Sequence, residues 1–237
     1  MSQVRKFCVV ICCLLWAGPG VANASGEKVA VDLLIYRVTE AGSGPYISRI
    51  LVSDRFMRLD QGMESSGFIL FDREMGAIYN ISDDDRTVLV IHPAKRAVRK
   101  PPYRWHVRRV PAADAPKVGG VQPEHYRFLA GDEVCRDAIV LPGVMGAAVG
   151  ALRAYRQVLA DQEAVTLPGI PDDMRSPCGD ALNLYSPEAE LGRGLPLRTW
   201  DAARREELLD YRTGFEVAST LFILPTGYER LRMGNGL

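Results

Sequence analysis

Tyr46-Ile-Ser-Arg-Ile-Leu-Val52, Arg55-Phe-Met-Arg-Leu-Asp60, Gly67-Phe-Ile-Leu-Phe71, Ala77-Ile-Tyr-Asn-Ile81 and Thr87-Val-Leu-Val-Ile91 follow one another with short polar breaks. Each run is short and rich in β-branched and aromatic residues. Ser53-Asp54, Asp72 to Gly76 and Asp83-Asp84-Asp85 separate them, and such clusters turn the chain. A parallel pairing needs a crossover of a dozen or more residues, and none fits between these runs. The stretch therefore predicts an antiparallel meander. A strand over 29–38 precedes it, followed by the turn Gly42-Ser43-Gly44-Pro45.

Downstream, 121–128 and 134–141 read as a hairpin around Ala130-Gly131-Asp132. Pro142-Gly143 then opens the one clear helix, 144–163. Val144, Met145, Ala148, Val149, Leu152, Tyr155, Val158 and Leu159 recur at steps of three and four, which gathers them on one face. Such a helix is roughly 30 Å long, enough to cross a sheet. Residues 169–179 read as a Pro-rich loop, 195–200 and 207–217 as further strands, and 221–224 as a last one stopped by Pro225-Thr226-Gly227. No linker or repeat divides the chain, so 25–237 reads as a single α+β domain.

The N-terminus carries Arg5 and Lys6, an uncharged apolar run from Phe7 to Trp16, and the breakers Gly18, Pro19 and Gly20. Ala22-Asn23-Ala24 then offers small residues for cleavage. That is the three-part pattern of a secretory signal, 1–24, cut after Ala24. The run is too short to span a bilayer, and no later stretch reaches the length of a membrane helix. Cys12 and Cys13 lie inside it, but Ile11 before Cys12 is not the small residue that lipid attachment requires. An exported, periplasmic protein is the expectation.

Cys135 and Cys178 are then the two cysteines left. In an oxidising compartment a disulfide is the first reading, worth about 4 kcal/mol by chain entropy. Free thiols or half of a metal site is the rival reading, for which no nearby histidine supplies a partner. Without residues 1–24 the chain holds 27 basic and 29 acidic residues, a net of −2. Near-neutrality argues against a general nucleic-acid or membrane-surface binder.

Local charge is another matter. Lys95, Arg96, Arg99, Lys100, Arg104, Arg108 and Arg109 crowd 92–110 without one acidic residue, interleaved with Tyr103 and Trp105. Pro93, Pro101 and Pro102 argue against regular structure there. The patch suits an anionic surface such as phospholipid heads, lipopolysaccharide or an acidic partner. A solvated loop whose charges pair locally needs the same residues.

Catalytic and metal motifs do not surface. His92, His106 and His125 lack metal-ligand spacing. No serine sits in a nucleophile elbow. The Asp83-Asp84-Asp85 run lacks the alternation of a calcium loop. Neither a catalytic residue nor a cofactor is expected.

The stretch 48–91, with Arg58 and Asp60 on one strand and Asp72 and Tyr79 around the next turn, resembles exported bacterial proteins of the superfamily that contains the outer-membrane lipoprotein carrier and its receptor (LolA/LolB-like). The ending Leu221-Phe222-Ile223-Leu224-Pro225 with Gly227-Tyr228 is similar to an uncharacterised branch of it. The Pro-rich stretch 164–194 departs from the carrier pattern. The resemblance implies an incomplete antiparallel β-barrel, a half-barrel with the long helix packed on its concave face. It also implies a lipid or acyl ligand, or an acylated protein. No binding residue is carried over. Phe56, Leu70, Met145, Val149, Leu152 and Tyr155 are the candidate lining of such a cavity. An apolar helix face against a sheet reads first as ordinary core, and otherwise as a helix that plugs an open barrel and shifts to admit an acyl chain. Two functions follow: a non-catalytic binder of an apolar ligand, or an envelope interaction or sensing module with no small ligand. A hydrolase with a dispersed site is a third.

Overall fold

The computed structural model describes residues 27–62, 67–94, 101–111 and 116–233. The expected export signal and Lys95, Arg96, Arg99 and Lys100 lie outside the described residues. The meander is present as β1 (Lys28–Glu40), β2 (Tyr46–Val52), β3 (Phe56–Asp60), β4 (Phe68–Asp72), β5 (Ala77–Ser82) and β6 (Thr87–Ile91). A second group comprises β7 (Trp105–Val110), β8 (Glu124–Ala130), β9 (Glu133–Leu141), β10 (Leu195–Trp200) and β11 (Arg204–Ala218), and β12 (Glu229–Arg232) is the last strand among the described residues. Between β9 and β10 lie the helix α1 (Gly146–Thr166), the short helix α2 (Pro177–Asp180) and a π-helical turn at Ala181–Tyr185.

Among the described residues twelve strands join one curved open sheet in the order β12-β6-β5-β4-β3-β2-β1-β11-β10-β9-β8-β7. The architecture is α+β, as expected. The long pair β1 and β11 couples the two groups, from Lys28 opposite Ala218 to Glu40 opposite Arg204. Register shifts at Val31/Leu33 and Ile35/Tyr36 mark bulges in it, and bulges bend a sheet and increase its twist.

Side chains alternate along the strands and supply three apolar clusters among the described residues, the smallest being Phe128, Ala138 and Val140 with Trp105 and Val107 packed against it. Leu34, Tyr36, Val38, Ile50, Val52, Met57, Phe71 and Ile78 meet α1 through Met145, Ala148, Val149 and Leu152. On the opposite face Val31, Leu33, Leu51, Leu70, Ile81, Val88 and Val90 are covered by Phe222, with Leu221, Leu224 and Tyr228 packed around it. Runs such as Phe-Ile-Leu-Phe in β4 are continuous because apolar neighbours cover both sides.

Four expectations are corrected. The prolines at 93, 101 and 102 do not forbid structure as far as Val110: they stop before Trp105, and β7 begins there. The loop 169–179 contains helical turns, including α2, whose Ser176 hydroxyl accepts from the Gly179 amide at 3.0 Å. Leu221 is not the start of a strand. Ser219–Phe222 forms a 3-10 turn that delivers Phe222 onto Phe56, ring to ring at 6.2 Å. Finally, the sheet is mixed, because β12 pairs with β6 in parallel. Reaching the far edge across the sheet face lets the final segment align with β6 without a hairpin.

Cys135 and Cys178 form a disulfide with Cα atoms 5.0 Å apart. It ties α2 to β9. After α2 the chain returns to pair with β9 as β10, and Gly194 lies against the end of β9. A Cβ there would stand 2.5 Å from the Leu141 carbonyl oxygen, and its φ is +146°.

Candidate functional site: the helix face, a buried ion cluster and the edge of the sheet

The six candidate lining residues divide between the two larger clusters. Met145, Val149 and Leu152 are buried against the sheet, and Tyr155 meets Phe71 edge-on at 5.9 Å. Phe56 and Leu70 belong to the opposite face, under Phe222. They do not line a space shared with α1. Phe56 and Met57 alternate, as do Leu70 and Phe71, so one residue of phase decides which core each enters.

Arg58 and Asp60, the pair that carries the resemblance, also lie on that second face. Asp60 accepts from Arg49 at 2.7 and 2.8 Å, from Arg58 at 2.6 Å and from the Gly62 amide at 2.9 Å. Burial pulls its carboxyl upward, but these donors outweigh it and hold the group below its ordinary value. Arg58 also donates to the Leu221 carbonyl at 2.7 Å and covers the Phe68 ring at 3.6 Å. The pair fastens the C-terminal segment to the sheet.

The sequence reading did not find a buried ion cluster beneath α1. The Glu190 side chain is 1% exposed, and its Oε1 accepts from Arg136 at 3.3 Å and from Arg156. Arg136 reaches on to Asp201 at 3.0 Å. Burial raises the Glu190 carboxyl, yet the Arg156 and Arg136 charges prevail and hold it ionised, below its ordinary value. Its Oε2 has no hydrogen-bond partner among the described residues. Tyr36 donates from its hydroxyl to the Pro196 carbonyl at 2.9 Å, and burial pushes its phenol upward. The only sequence signal would have been an acidic residue in the apolar setting Ala189-Glu190-Leu191.

His125 pairs through Nε2 with Asp137 at 2.7 Å, and its ring lies 5.3 Å from that of Trp200. Arg127 shares the same carboxylate at 3.1 Å. Among the described residues no three His, Cys, Asp or Glu side chains are grouped to hold a metal. No described helix is long and apolar enough to cross a membrane.

Of the basic tract, Arg104, Arg108 and Arg109 are described and exposed. Arg109 pairs with Glu124 at 2.8 Å, and Glu124 also accepts from the Tyr126 hydroxyl. Arg104 and Arg108 have no carboxylate partner among the described residues. Among the described residues β7 ends the sheet and pairs with β8 alone. A cleft lies beside each end of it. One, of about 290 Å³, is lined by Trp105, Val107, Tyr185, Ala189, Arg193 and Glu188, whose carboxylate pairs with Arg153 at 2.5 Å. The other, of about 520 Å³, is lined by Arg109, Val110, Pro111, Pro123, Glu124 and His125. Tyr103 packs edge-on to Tyr185 at 6.2 Å, and burial pushes its phenol up to about 12.

No family model and no curated protein matches the chain. Among solved structures, it is similar to an uncharacterized conserved protein from Thermus thermophilus, with TM-score 0.41 and 8% identity over 86% of this chain and 91% of that one. PNGF-II matches with TM-score 0.37 and 8% identity over 86% of this chain. The match covers 31% of PNGF-II, so the chain corresponds to about a third of its length. Likeness at this level carries no argument about family or activity.

Proposed function

We propose that this chain is an exported envelope module that binds another macromolecule through its surface, built on a half-barrel of lipoprotein-carrier type and working without catalysis. It acts in the periplasm, after loss of residues 1–24. The single observation behind this reading is that α1 is built into the main core, where Ala148, Val149 and Leu152 are buried in one cluster with Leu34, Val38 and Phe71. An acyl ligand in that position would need the helix to leave.

The magnitudes oppose such an opening. Each large apolar side chain exposed costs about 1.5–3 kcal/mol. Freeing Val149, Leu152 and Val158 together therefore approaches the whole stability of a typical domain, about 5–15 kcal/mol. The Arg156–Glu190 pair and the Cys135–Cys178 bond restrain the same helix and the segment after it. The disulfide also suits an oxidising, extracytoplasmic setting.

The test has two arms. Protein recovered from the periplasm is analysed by native mass spectrometry and lipid extraction, then titrated with a fluorescent fatty acid. No stoichiometric lipid and no uptake are expected; bound lipid would replace this reading with the carrier one. In parallel, photo-crosslinking residues are placed over the surface in living cells. Discrete protein adducts confined to one region support the module, and their absence at every position refutes it.

A further inference from the structure

We infer that the outer edge of β7 is a docking strand for an extended, acidic segment of a partner protein. The segment binds by strand addition, with side chains seated in the two flanking clefts. The inference rests on the interaction reading above and names its surface and partner chemistry.

Three observations converge on this edge. First, β7 is terminal in the strand order, and among the described residues its only strand partner is β8. In an antiparallel pair about half of the backbone N–H and C=O groups of an edge strand point away from the neighbour and can accept another strand. Second, the clefts lie at its two ends, at Trp105 and Val107 and at Arg109 to Pro111. At about 3.4 Å per residue, a segment of five or six residues spans both. Strand addition takes its affinity from main-chain bonds and its selectivity from pockets for particular side chains, which is what a strand between two clefts offers. Trp105 is an aromatic wall for the first, backed by Phe128 at 6.2 Å.

Third, the charge selects the occupant. Arg104 and Arg108 are exposed without a carboxylate partner among the described residues, and Arg193 lines the first cleft while covering the Tyr126 ring at 5.2 Å. Charged edges protect sheets from indiscriminate pairing. Arginines repel a basic strand, including the same edge of a second copy, and attract an acidic one. Protection and specificity thus come from the same residues.

The test uses the processed chain and three synthetic ten-residue peptides. The first alternates Glu or Asp with Val or Leu. The second replaces every acid with Lys. The third keeps the acidic sequence but is N-methylated at alternate residues, which removes its outward hydrogen bonds. Hydrogen exchange is followed by NMR. The acidic peptide is expected to slow exchange at β7 amides at least tenfold, and the other two to leave them unchanged. The exposed double variant Arg104→Glu/Arg108→Glu, with an unchanged melting temperature, should bind the acidic peptide at least tenfold more weakly.

Four outcomes overturn the inference. One is no β7 protection at millimolar acidic peptide, and another is equal binding of the N-methylated peptide. A third is protection that rises with protein concentration alone, which indicates self-pairing. The fourth is tight binding to phosphatidylglycerol vesicles with β7 unprotected, which assigns the cations to a membrane surface. Cellular crosslinks confined to a face remote from β7 would sink this inference while leaving the interaction reading intact.

Discussion

Arg156 on α1 and Glu190 thirty-four residues later form an ion pair beneath the helix, with only 1% of the Glu190 side chain exposed. Two guanidinium groups share that one carboxylate, so its removal leaves positive charge facing positive charge. A buried pair stripped of one partner typically costs about 3–5 kcal/mol. Glu190→Gln is expected to lose about that much stability in urea unfolding. Adding Arg156→Met should recover part of the loss, because it removes the stranded charge.

Acid should weaken the same protein. Glu190, Asp60 and Asp201 all titrate below their ordinary values in the folded chain, because arginine charges or donated hydrogen bonds outweigh the effect of burial. A depressed carboxyl contributes its full stability above its unfolded value and loses it as pH falls through the folded one. The ordinary values are 4.5 for Glu and 3.8 for Asp. Melting temperature should therefore be insensitive to these groups between pH 7 and about pH 5.5 and fall below about pH 4.5. Asp60→Asn should lower the plateau and shallow the acid slope.

Packing under α1 can be read with larger side chains. Ala148 is 0% and Ala151 1% exposed. Methylenes forced into a filled core cost about 1–3 kcal/mol. Ala151→Leu should lower stability by that amount in thermal melts. An increase would mean spare volume beside the helix and would favour an apolar ligand there.

Two glycines predict opposite signs. A Cβ at Gly194 would meet the Leu141 carbonyl oxygen at 2.5 Å, at a φ unfavourable to other residues, whereas one at Gly150 on α1 meets nothing within 4 Å. Gly194→Ala should cost about 2 kcal/mol or more through clash and strain. Gly150→Ala should stabilise by about 0.5–1 kcal/mol, because alanine favours the helix. Denaturant midpoints of the two variants provide the comparison.

Local pattern made much of the fold legible. The spacing of 46–91 anticipated β2 to β6 to within a residue or two. The steps from Val144 to Leu159 located α1, and the two remaining cysteines identified the disulfide. These signals need only neighbours in sequence, and the chain's stereochemistry turns them into elements. The role of 92–110 was harder to see. Proline count obscured β7, and nothing local states that a strand will be last in a sheet.

The amino-acid sequence by itself determined β2 to β6, the long helix and the α+β class and made the crosslink the first reading, because alternation, helical period and turn chemistry act over a few residues. Tertiary structure alone decided three things. It sent Phe56 and Leu70 to the core opposite Met145 and Val149, since one residue of phase exchanges the faces. It brought Glu190 to Arg136 and Arg156 across 54 and 34 residues. It also placed β7 last in the sheet of the described residues, so that Arg104 and Arg108 border its terminal strand. Each depends on which distant segments pack together, and that choice is made by burial summed over the whole domain.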